Sequence, residues 1–399
     1  MKVLLLSFYF RPDLCAGSFR NTALVDSMKR KLPAGSHIDV ITTLPNRYAS
    51  FDVEAPEDEL MEGVRVRRVS LPVHESGMMD QSRSFFIYAL AVRKLVAKEN
   101  YDVVVASSSR LMTAALGAWV ARRKHIPLYL DIRDIFVDTI KDVLPRSMAP
   151  LVKVFFSRVE RWTLSRANRL NAVSAGFLPY LEERYSEVSK VVFTNGIDDE
   201  FLPCPAEEKI IHKNSAASED SIVEVLYAGN MGEGQGLHNI IPSLAKRLEG
   251  RVKFRLIGGG GRKEHLEEAV RMAGCSNVLI AQPVSRNELI DAYHKADVLF
   301  LHLNDYPAFR KVLPSKLFEY GALGKPIWAG VAGYSAEFIA KELDNVALFS
   351  PCDSEGAIQA FENLLIADLP RSSFVEKFSR RKIMDDMVDD LLDLLGVKV

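Results

Sequence analysis

The chain has 399 residues, with 51 lysines and arginines and 52 aspartates and glutamates, so its net charge is −1. This balance gives no electrostatic reason to expect nucleic acid as a partner. A hydrophobic content of 48% and a charged content of 26% are those of a globular protein, and roughly 100–200 residues per domain predicts two domains. The four cysteines form no C-x-x-C pair, which argues against a disulfide framework or a cysteine metal site.

The N-terminal run MKVLLLSFYF is too short to be a signal peptide, and no stretch approaches the ~18 apolar residues of a membrane span. We therefore expect a cytoplasmic protein.

Strands and helices alternate in the first half of the chain. Apolar or alternating runs predict strands at 2–10, 37–44, 63–71, 101–108, 127–132, 166–174 and 189–195. Amphipathic stretches predict helices at 19–31 and 84–98, and a further helix that ends near Ala121. This alternation predicts a parallel sheet wrapped by helices.

Residues 203–220, PCPAEEKIIHKNSAASED, interrupt the pattern and are typical of a linker. After them the alternation restarts with IVEVLYAG and continues through VKFRLIG, NVLIAQ, DVLFLHL and PIWAG, with helices between. We predict a first domain at 1–202, a linker at 203–220 and a second domain at 221–375. C-terminal helices at 376–399 have the option of returning to the first domain.

The predicted fold is α/β, with two Rossmann-like doubly wound domains that face each other across a cleft. Ligands of such sheets bind at the carboxyl ends of the strands, so the cleft is the expected site.

A glycine loop, AGNMGEGQG at 228–236, follows one strand and precedes a helix. This setting also suits a dinucleotide site, but the next strand ends in GGGG at 258–261 and lacks the acidic residue that would bind a ribose. Small residues allow backbone N–H groups to approach an anion closely. A tight turn alone would explain one or two glycines, but explains the whole set less easily. The donor-binding candidates here are Gly229, Asn230, Gly232 and Gly258.

The segment PSKLFEYGALGKP at 314–326 predicts a short helix over about 316–323. Ser315, which is also a donor-binding candidate, is expected to cap its first turn, and Lys316 adds a positive charge where a phosphate could bind. Glu319, one turn further, could accept hydrogen bonds from two neighbouring ribose hydroxyls. A solvated surface helix is the equally weighted alternative.

The first half has a comparable loop, AGSFRNT at 16–22. Gly17 and Ser18 stand at a predicted helix start and are candidates for contact with the donor. Arg11 and Arg20 bracket the loop and are candidates for contact with the acceptor.

Together these segments resemble glycosyltransferase family 4, which has the GT-B fold, and in particular transferases that build bacterial surface polysaccharide. The resemblance runs over almost the whole chain through AVS at 172–174, TNGID at 194–198, LIGGGGRKEHLEE, ADVLFL and PSKLFEYGALGKPIWA. It implies an N-terminal acceptor-binding domain and a C-terminal domain that binds a nucleotide-sugar donor, with UDP as the expected nucleotide. It also implies transfer with retention at the sugar carbon and no metal or other cofactor.

The resemblance assigns the ribose to Glu319 and places Leu317 in the donor motif. Two departures stand out. The family has a glutamate eight residues before Glu319, where this chain has Lys311, which leaves the donor sugar undefined. Asn230 and Gln235 stand where the family has an arginine and a lysine, so Lys316 and Lys311 are the expected cations for the diphosphate.

DIRD at 131–134 resembles a first-domain segment of these transferases. Asp134 is the candidate acid or base on the acceptor side and forms the catalytic set with Glu319, while Arg133 is a candidate contact for an acceptor anion. A strand end with a solvated loop is about equally compatible with these residues.

The expected acceptor is a glycan or a polyprenyl-diphosphate-linked sugar. A competing function is that of a non-hydrolysing nucleotide-sugar epimerase or of a nucleotide-sugar-binding protein without turnover. The basic amphipathic segment 146–169 also predicts contact with an anionic membrane surface, with a core-facing helix as the alternative.

Overall fold

The structure is a computed structural model that describes residues 1–45, 55–72, 78–138, 149–202 and 222–397. The predicted linker 203–220 lies outside these residues. The chain divides into two compact units, one formed by Met1–Asn195 with Arg380–Val399 and the other by Gly196–Ser379.

The first unit contains an eight-stranded sheet in the order β3-β4-β2-β1-β5-β6-β7-β8. All neighbouring strands are parallel except β3 and β4, which pair antiparallel at one edge. In chain order the strands are β1 Lys2–Leu6, β2 His37–Thr43, β3 Asp58–Met61, β4 Val64–Val69, β5 Val103–Ser107, β6 Leu128–Ile132, β7 Arg169–Ala172 and β8 Ser189–Val192.

The central strands are apolar because helices cover both faces of a parallel sheet. Every residue of β5 is buried, as are the last four residues of β1. Among the described residues of this unit there are five longer helices and one short helix: α1 Ala16–Lys31, α2 Met78–Val96, α3 Leu111–Lys124, α4 Ala149–Leu164, the short α5 Leu178–Arg184 and, at the end of the chain, Arg380–Leu394.

The final helix packs on α1 of the first unit. Asp385 accepts hydrogen bonds from Ser27 Oγ at 2.5 Å and from Arg30 Nη2 at 2.6 Å, and Lys31 pairs with Asp389. The last twenty residues therefore complete the unit in which the chain begins.

The second unit contains a six-stranded parallel sheet in the order β11-β10-β9-β12-β13-β14. Its strands are β9 Val223–Asn230, β10 Val252–Gly259, β11 Val278–Ala281, β12 Val298–His302, β13 Ile327–Gly330 and β14 Val346–Phe349. Its helices are α6 Leu237–Arg247, α7 Lys263–Met272, α8 Arg286–Lys295, α9 Lys316–Ala322, α10 Tyr334–Glu342, α11 Ser354–Glu362 and α12 Ser372–Phe378, and the final helix of the first unit is α13.

The core of the second unit is built around Trp328 in β13, whose indole N–H donates to Ala357 O at 3.0 Å. Its ring contacts Phe254, Phe300 and Phe361, with centroid separations of 6.1, 5.3 and 4.8 Å. Trp328 is fully buried, so it is a packing residue. This core fixes the strands whose carboxyl ends carry the loops described below.

Candidate active site

The glycine loop of the second unit follows β9 and lies against the end of β10. Gly229 and Gly258 have φ values of +142° and +148°, which disfavour other residues. A Cβ atom at Gly258 would lie only 1.9 Å from Gly229 O. Gly258 is therefore required for this close approach of two backbones, whereas a Cβ atom at Gly229 would meet the side chain of Lys316.

Asn230 and Gln235 hold the loop in shape. The side-chain amide of Asn230 donates to Gln235 Oε1 at 2.7 Å, and the backbone N–H of Gly232 donates to the same oxygen at 3.2 Å. Asn230, a predicted donor contact, thus has a structural partner within the loop.

His302, at the end of β12, fixes the position of the glycine loop through a hydrogen bond. Its Nδ1 lies 2.7 Å from Gln235 O, and its Nε2 accepts the backbone N–H of Cys352 at 2.9 Å. Burial lowers the pKa of His302 to about 4, against a smaller opposing effect of the Gln235 carbonyl. The ring is therefore neutral, with its proton on Nδ1.

Lys316, the first residue of α9, extends over this loop. A Cβ atom at Gly229 would lie 2.1 Å from Lys316 Nζ, and the ammonium lies 5.5 Å from the centroid of the Tyr227 ring. Burial lowers the pKa of Lys316, and the charge of Glu319 opposes this. A partly desolvated cation held over Gly229 of the glycine loop is suited to an anion such as a phosphate.

The prediction that Ser315 caps this helix is wrong. Ser315 already has helical angles, φ −60° and ψ −29°, and its side chain makes no capping hydrogen bond. Backbone bonds of 3.1 Å from Leu317 N to Pro314 O and from Phe318 N to Ser315 O tighten the entry into the helix instead. The glycine and proline that follow α9 are better predictors of where the helix ends, since Gly324 has a φ of +68°.

Glu319 lies one turn after Lys316, with only 13% of its side chain exposed. Its Oε2 accepts from Tyr293 OH at 3.1 Å, and its Oε1 lies 3.7 Å from Arg286 Nη1. Burial raises the pKa of Glu319, while Arg286 and Lys316 act in the opposite direction.

Leu317 and Lys311, two further donor-binding candidates, have different surroundings. Leu317 is completely buried, so the prediction that its side chain contacts the donor is corrected: it is a core residue. Lys311 lies in a short 3₁₀ turn, Phe309–Lys311, and is partly exposed. Lys311 remains a candidate.

In the first unit, the prediction that Arg20 binds the acceptor is also corrected. Its side chain is 0% exposed and pairs with Asp131 at 2.8 Å. Its remaining N–H groups donate to Thr194 O at 2.5 Å and Phe193 O at 2.8 Å. No N–H of Arg20 is left facing solvent, so this residue ties α1 to β6 and to the chain after β8.

Gly17 and Ser18 occupy the first turn of α1, and both are buried. Within the described residues the hydroxyl of Ser18 has no hydrogen-bond partner. Arg11 is partly exposed and lies 3.8 Å from Asp26. These three residues stay candidates.

Arg133 and Asp134 follow β6 directly. The backbone N–H of Arg133 donates to Ser108 Oγ at 2.9 Å, and Asp134 is exposed. Burial lowers the pKa of Arg133 to about 10, although Asp131 opposes this. Its Nη1 is enclosed and has no hydrogen-bond partner among the described residues.

Sequence reasoning missed Arg286, Tyr293 and His302. One signal was available for Arg286: a cation at the first position of a helix opposes the helix dipole, which indicates a tertiary partner. His302 and Tyr293 look like core residues in sequence, and only the fold shows what their polar atoms bind.

No described helix is long and apolar enough to cross a membrane. Across the described ranges, no group of three or more His, Cys, Asp and Glu side chains is arranged to hold a metal ion.

Two family models match consecutive parts of the chain. The model described as "Glycosyl transferase 4-like domain" matches residues 25–196, and the model described as "Glycosyl transferases group 1" matches residues 207–381. A curated relative, the putative colanic acid biosynthesis glycosyl transferase WcaI of Escherichia coli K12, is 31% identical over 112 residues. This match spans 28% of the chain and 27% of the relative's length.

Solved structures match over nearly the whole chain. Sucrose-phosphate synthase from Thermosynechococcus elongatus has a TM-score of 0.74 at 16% identity, with 99% of each chain covered. Anabaena Alr3699/HepE in complex with UDP and glucose has a TM-score of 0.66 at 17% identity, with 98% of this chain and 99% of that chain covered. These similarities show the fold.

Proposed function

Since the chain belongs to glycosyltransferase family 4 and has the GT-B fold, we propose that it moves a hexosyl or N-acetylaminohexosyl group from a nucleoside diphosphate sugar, with retention of configuration, to a lipid-linked or oligosaccharide acceptor. The matched relative is described as a transferase of colanic acid biosynthesis, which supports a role in surface polysaccharide synthesis. UDP is the proposed nucleotide because the HepE structure contains it.

One observation carries the donor assignment. Lys316 and Glu319 lie one turn apart on α9, and the ammonium of Lys316 is held over Gly229 of the glycine loop. A cation one turn from a carboxylate that can accept two ribose hydroxyls supports the proposal of a nucleoside diphosphate site.

The same arrangement supplies the chemistry. When the bond between the sugar and the diphosphate breaks, negative charge grows on the departing phosphate. A preorganised cation and N–H donors stabilise that charge more than they stabilise the ground state, which lowers the barrier. Lys316 is the proposed group for this role, and Lys311 is the second candidate.

On the first unit, Asp134 is the proposed acid or base for the acceptor, and Arg133 is the proposed contact for an acceptor anion. Two observations support these roles: Asp134 is exposed, and Arg133 Nη1 has no hydrogen-bond partner in the part of the chain that the structure describes. A polyprenyl diphosphate would supply such an anion.

We further propose that an anionic membrane surface contacts α4. Val154 and Phe155 are 48% and 56% exposed, although both are apolar. Lys153, Arg158 and Arg161 on the same helix are exposed as well. Apolar and basic side chains exposed together are typical of a helix that lies on anionic lipid.

Two experiments test this function. Calorimetric titration of the full chain with UDP, GDP and ADP should show binding, strongest for UDP, and weaker binding in Glu319→Gln. Incubation of the UDP-sugar with a polyprenyl-diphosphate-linked acceptor should yield an extended lipid. Conversion of the donor sugar to its epimer without acceptor, or binding without any turnover, would favour the competing functions.

A further inference from the structure

Arg286 is the first residue of α8, a position at which a cation works against the helix dipole. The helix itself is well capped, since Ser285 Oγ accepts from Glu288 N and the Glu288 carboxylate accepts from Ser285 N at 2.9 Å. The cap is complete without the arginine, so the role of Arg286 is sought in the groups that it contacts.

The guanidinium of Arg286 is surrounded by three carboxylates. Its Nε donates to Glu200 at 2.7 Å, its Nη2 donates to Asp198 at 2.9 Å, and its Nη1 lies 3.7 Å from Glu319. The group also lies 4.6 Å from the centroid of the Phe201 ring. Only 18% of the side chain is exposed, so the position of the guanidinium is closely defined.

Both oxygens of Glu319 consequently have a neighbour on α8. Oε1 faces Arg286, and Oε2 accepts the hydroxyl of Tyr293 at 3.1 Å. Two contacts from one rigid helix fix the plane of the carboxylate as well as its location.

We propose that Arg286 is a positioning residue for donor binding: it orients the Glu319 carboxylate to accept the two neighbouring hydroxyls of the donor ribose. This inference rests on the proposed function, which assigns the ribose to Glu319. Arg286 acts through Glu319 and is not expected to touch the reacting atoms.

The charges around Glu319 explain why the arginine is needed. Burial raises the pKa of Glu319, Arg286 and Lys316 lower it, and Asp198 raises it. Tyr293 adds a hydrogen bond from α8. Without Arg286, Glu319 would lie near Asp198 with Lys316 as the remaining cation, so protonation would become easier. A protonated carboxyl accepts fewer hydrogen bonds than a carboxylate.

The test is a double-mutant cycle on UDP binding, measured by titration calorimetry on the full chain at pH 7.5. The variants are Arg286→Met, Glu319→Gln and the combination, with Arg247→Met as the matched control. Arg247 makes a bidentate pair of 2.6 and 2.7 Å with Glu355 on the surface of the same unit. Its loss should leave UDP binding unchanged.

We expect Arg286→Met to weaken UDP binding about tenfold in the wild-type background and by less than about twofold in the Glu319→Gln background, because groups in one network are not additive. The loss in Arg286→Met should also shrink as the pH is raised, because a higher pH favours the ionised Glu319, whereas the loss in Glu319→Gln should not. Arg286→Lys, which keeps the charge, should recover part of the affinity.

Equal losses in both backgrounds, or wild-type affinity in Arg286→Met, would overturn the inference. If Arg286→Met does not fold, the same cycle is run with Arg286→Lys, where a smaller loss should again vanish in the Glu319→Gln background and additive losses count against the role. Wild-type affinity in Glu319→Gln would instead remove the ribose assignment, so failure of the proposed function is recognised separately.

Discussion

Arg20 and Asp131 form an ion pair in the first unit, with side chains that are 0% and 1% exposed. Asn171 also donates to Asp131 at 2.6 Å. Although burial alone would raise it, the Arg20 charge lowers the pKa of Asp131. The stability contributed by Asp131 is thus fully present above the pKa of an unfolded aspartate and is lost as the pH falls through its lower folded value.

Removal of one partner leaves a buried charge unpaired. Arg20→Met should therefore lower the free energy of unfolding of the first unit by about 3–5 kcal/mol. Urea unfolding followed through Trp119 and Trp162 fluorescence measures this. Arg30→Met is the control, since the Arg30–Asp385 pair is 38% and 28% exposed and should contribute at most about 1 kcal/mol. Similar losses in the two variants would contradict the structural role of Arg20.

Arg20 also shows that the local sequence around a residue does not reveal its tertiary partner. An arginine beside a glycine loop has the same local pattern whether it faces a ligand or a buried carboxylate, and Asp131 lies 111 positions away in sequence. The spacing of Lys316 and Glu319 is different, because one helical turn fixes their separation. Local geometry could be predicted there, but the partners Arg286 and Tyr293 could not.

At the scale of elements, His302 joins β12, the glycine loop and the loop after β14. His302→Phe keeps an aromatic ring but leaves Gln235 O and Cys352 N unpaired, at a cost of about 1–3 kcal/mol for each buried group. We expect lower stability of the second unit at pH 7.5 and weaker UDP binding, with the control His294→Gln unaffected because His294 is exposed.

The pH dependence of this variant has a definite sign. His302 titrates near 4 in the fold and near its ordinary 6.5 when unfolded, so the unfolded state takes up the proton first. The contribution of neutral His302 is complete above about pH 6.5 and is lost as the pH falls through 4. The free energy of unfolding, measured by Trp328 fluorescence between pH 4 and 8, should fall less steeply with decreasing pH in His302→Phe than in the wild type. An equal fall in both proteins would count against this role of neutral His302.

Helix α4 carries the prediction of membrane contact. The sequence pattern merged this helix with β7, and the structure separates them: Arg169 lies in β7 and pairs with Asp390 at 3.3 Å. Glu160 is buried and accepts from Tyr180 and Tyr185 at 2.5 and 3.0 Å. Arg146 and Met148 lie outside the described residues. What remains exposed is a smaller patch around Phe155.

Flotation with vesicles tests this patch. The wild type should float with vesicles that contain anionic lipid and not with neutral ones, and high salt should abolish binding. The double variant Lys153→Glu, Phe155→Ser should stay unbound, whereas Arg123→Glu on α3 serves as a matched change of charge. Equal recovery of the wild type from both kinds of vesicle would remove the proposal.

For the molecule as a whole, the restart of the strand–helix alternation predicted two α/β units because each apolar strand must be buried by helices. The edge strand β3 was missed, since DELM is short and half exposed. The docking of α13 on α1 depends on pairs such as Arg30 with Asp385, which are 355 residues apart. No local pattern encodes contacts at that distance.

The complete enzyme should work without a metal. Lysine and backbone N–H groups can balance the charge of a diphosphate, so sugar transfer in a metal chelator should equal transfer in untreated buffer. The rate of UDP release measures this. Activity that is lost in chelator and restored by magnesium or manganese would show that a cation carries the phosphate charge.

The donor site is tested most directly by comparing UDP with uridine as ligands of Lys316→Ala, with Lys377→Ala as control because the Lys377–Glu342 pair lies at the surface of the same unit. If Lys316 binds the diphosphate, the variant should lose about 2–5 kcal/mol of binding free energy for UDP and almost none for uridine, and Lys377→Ala should bind both like the wild type. An equal loss for UDP and uridine in Lys316→Ala would contradict a phosphate site at the glycine loop.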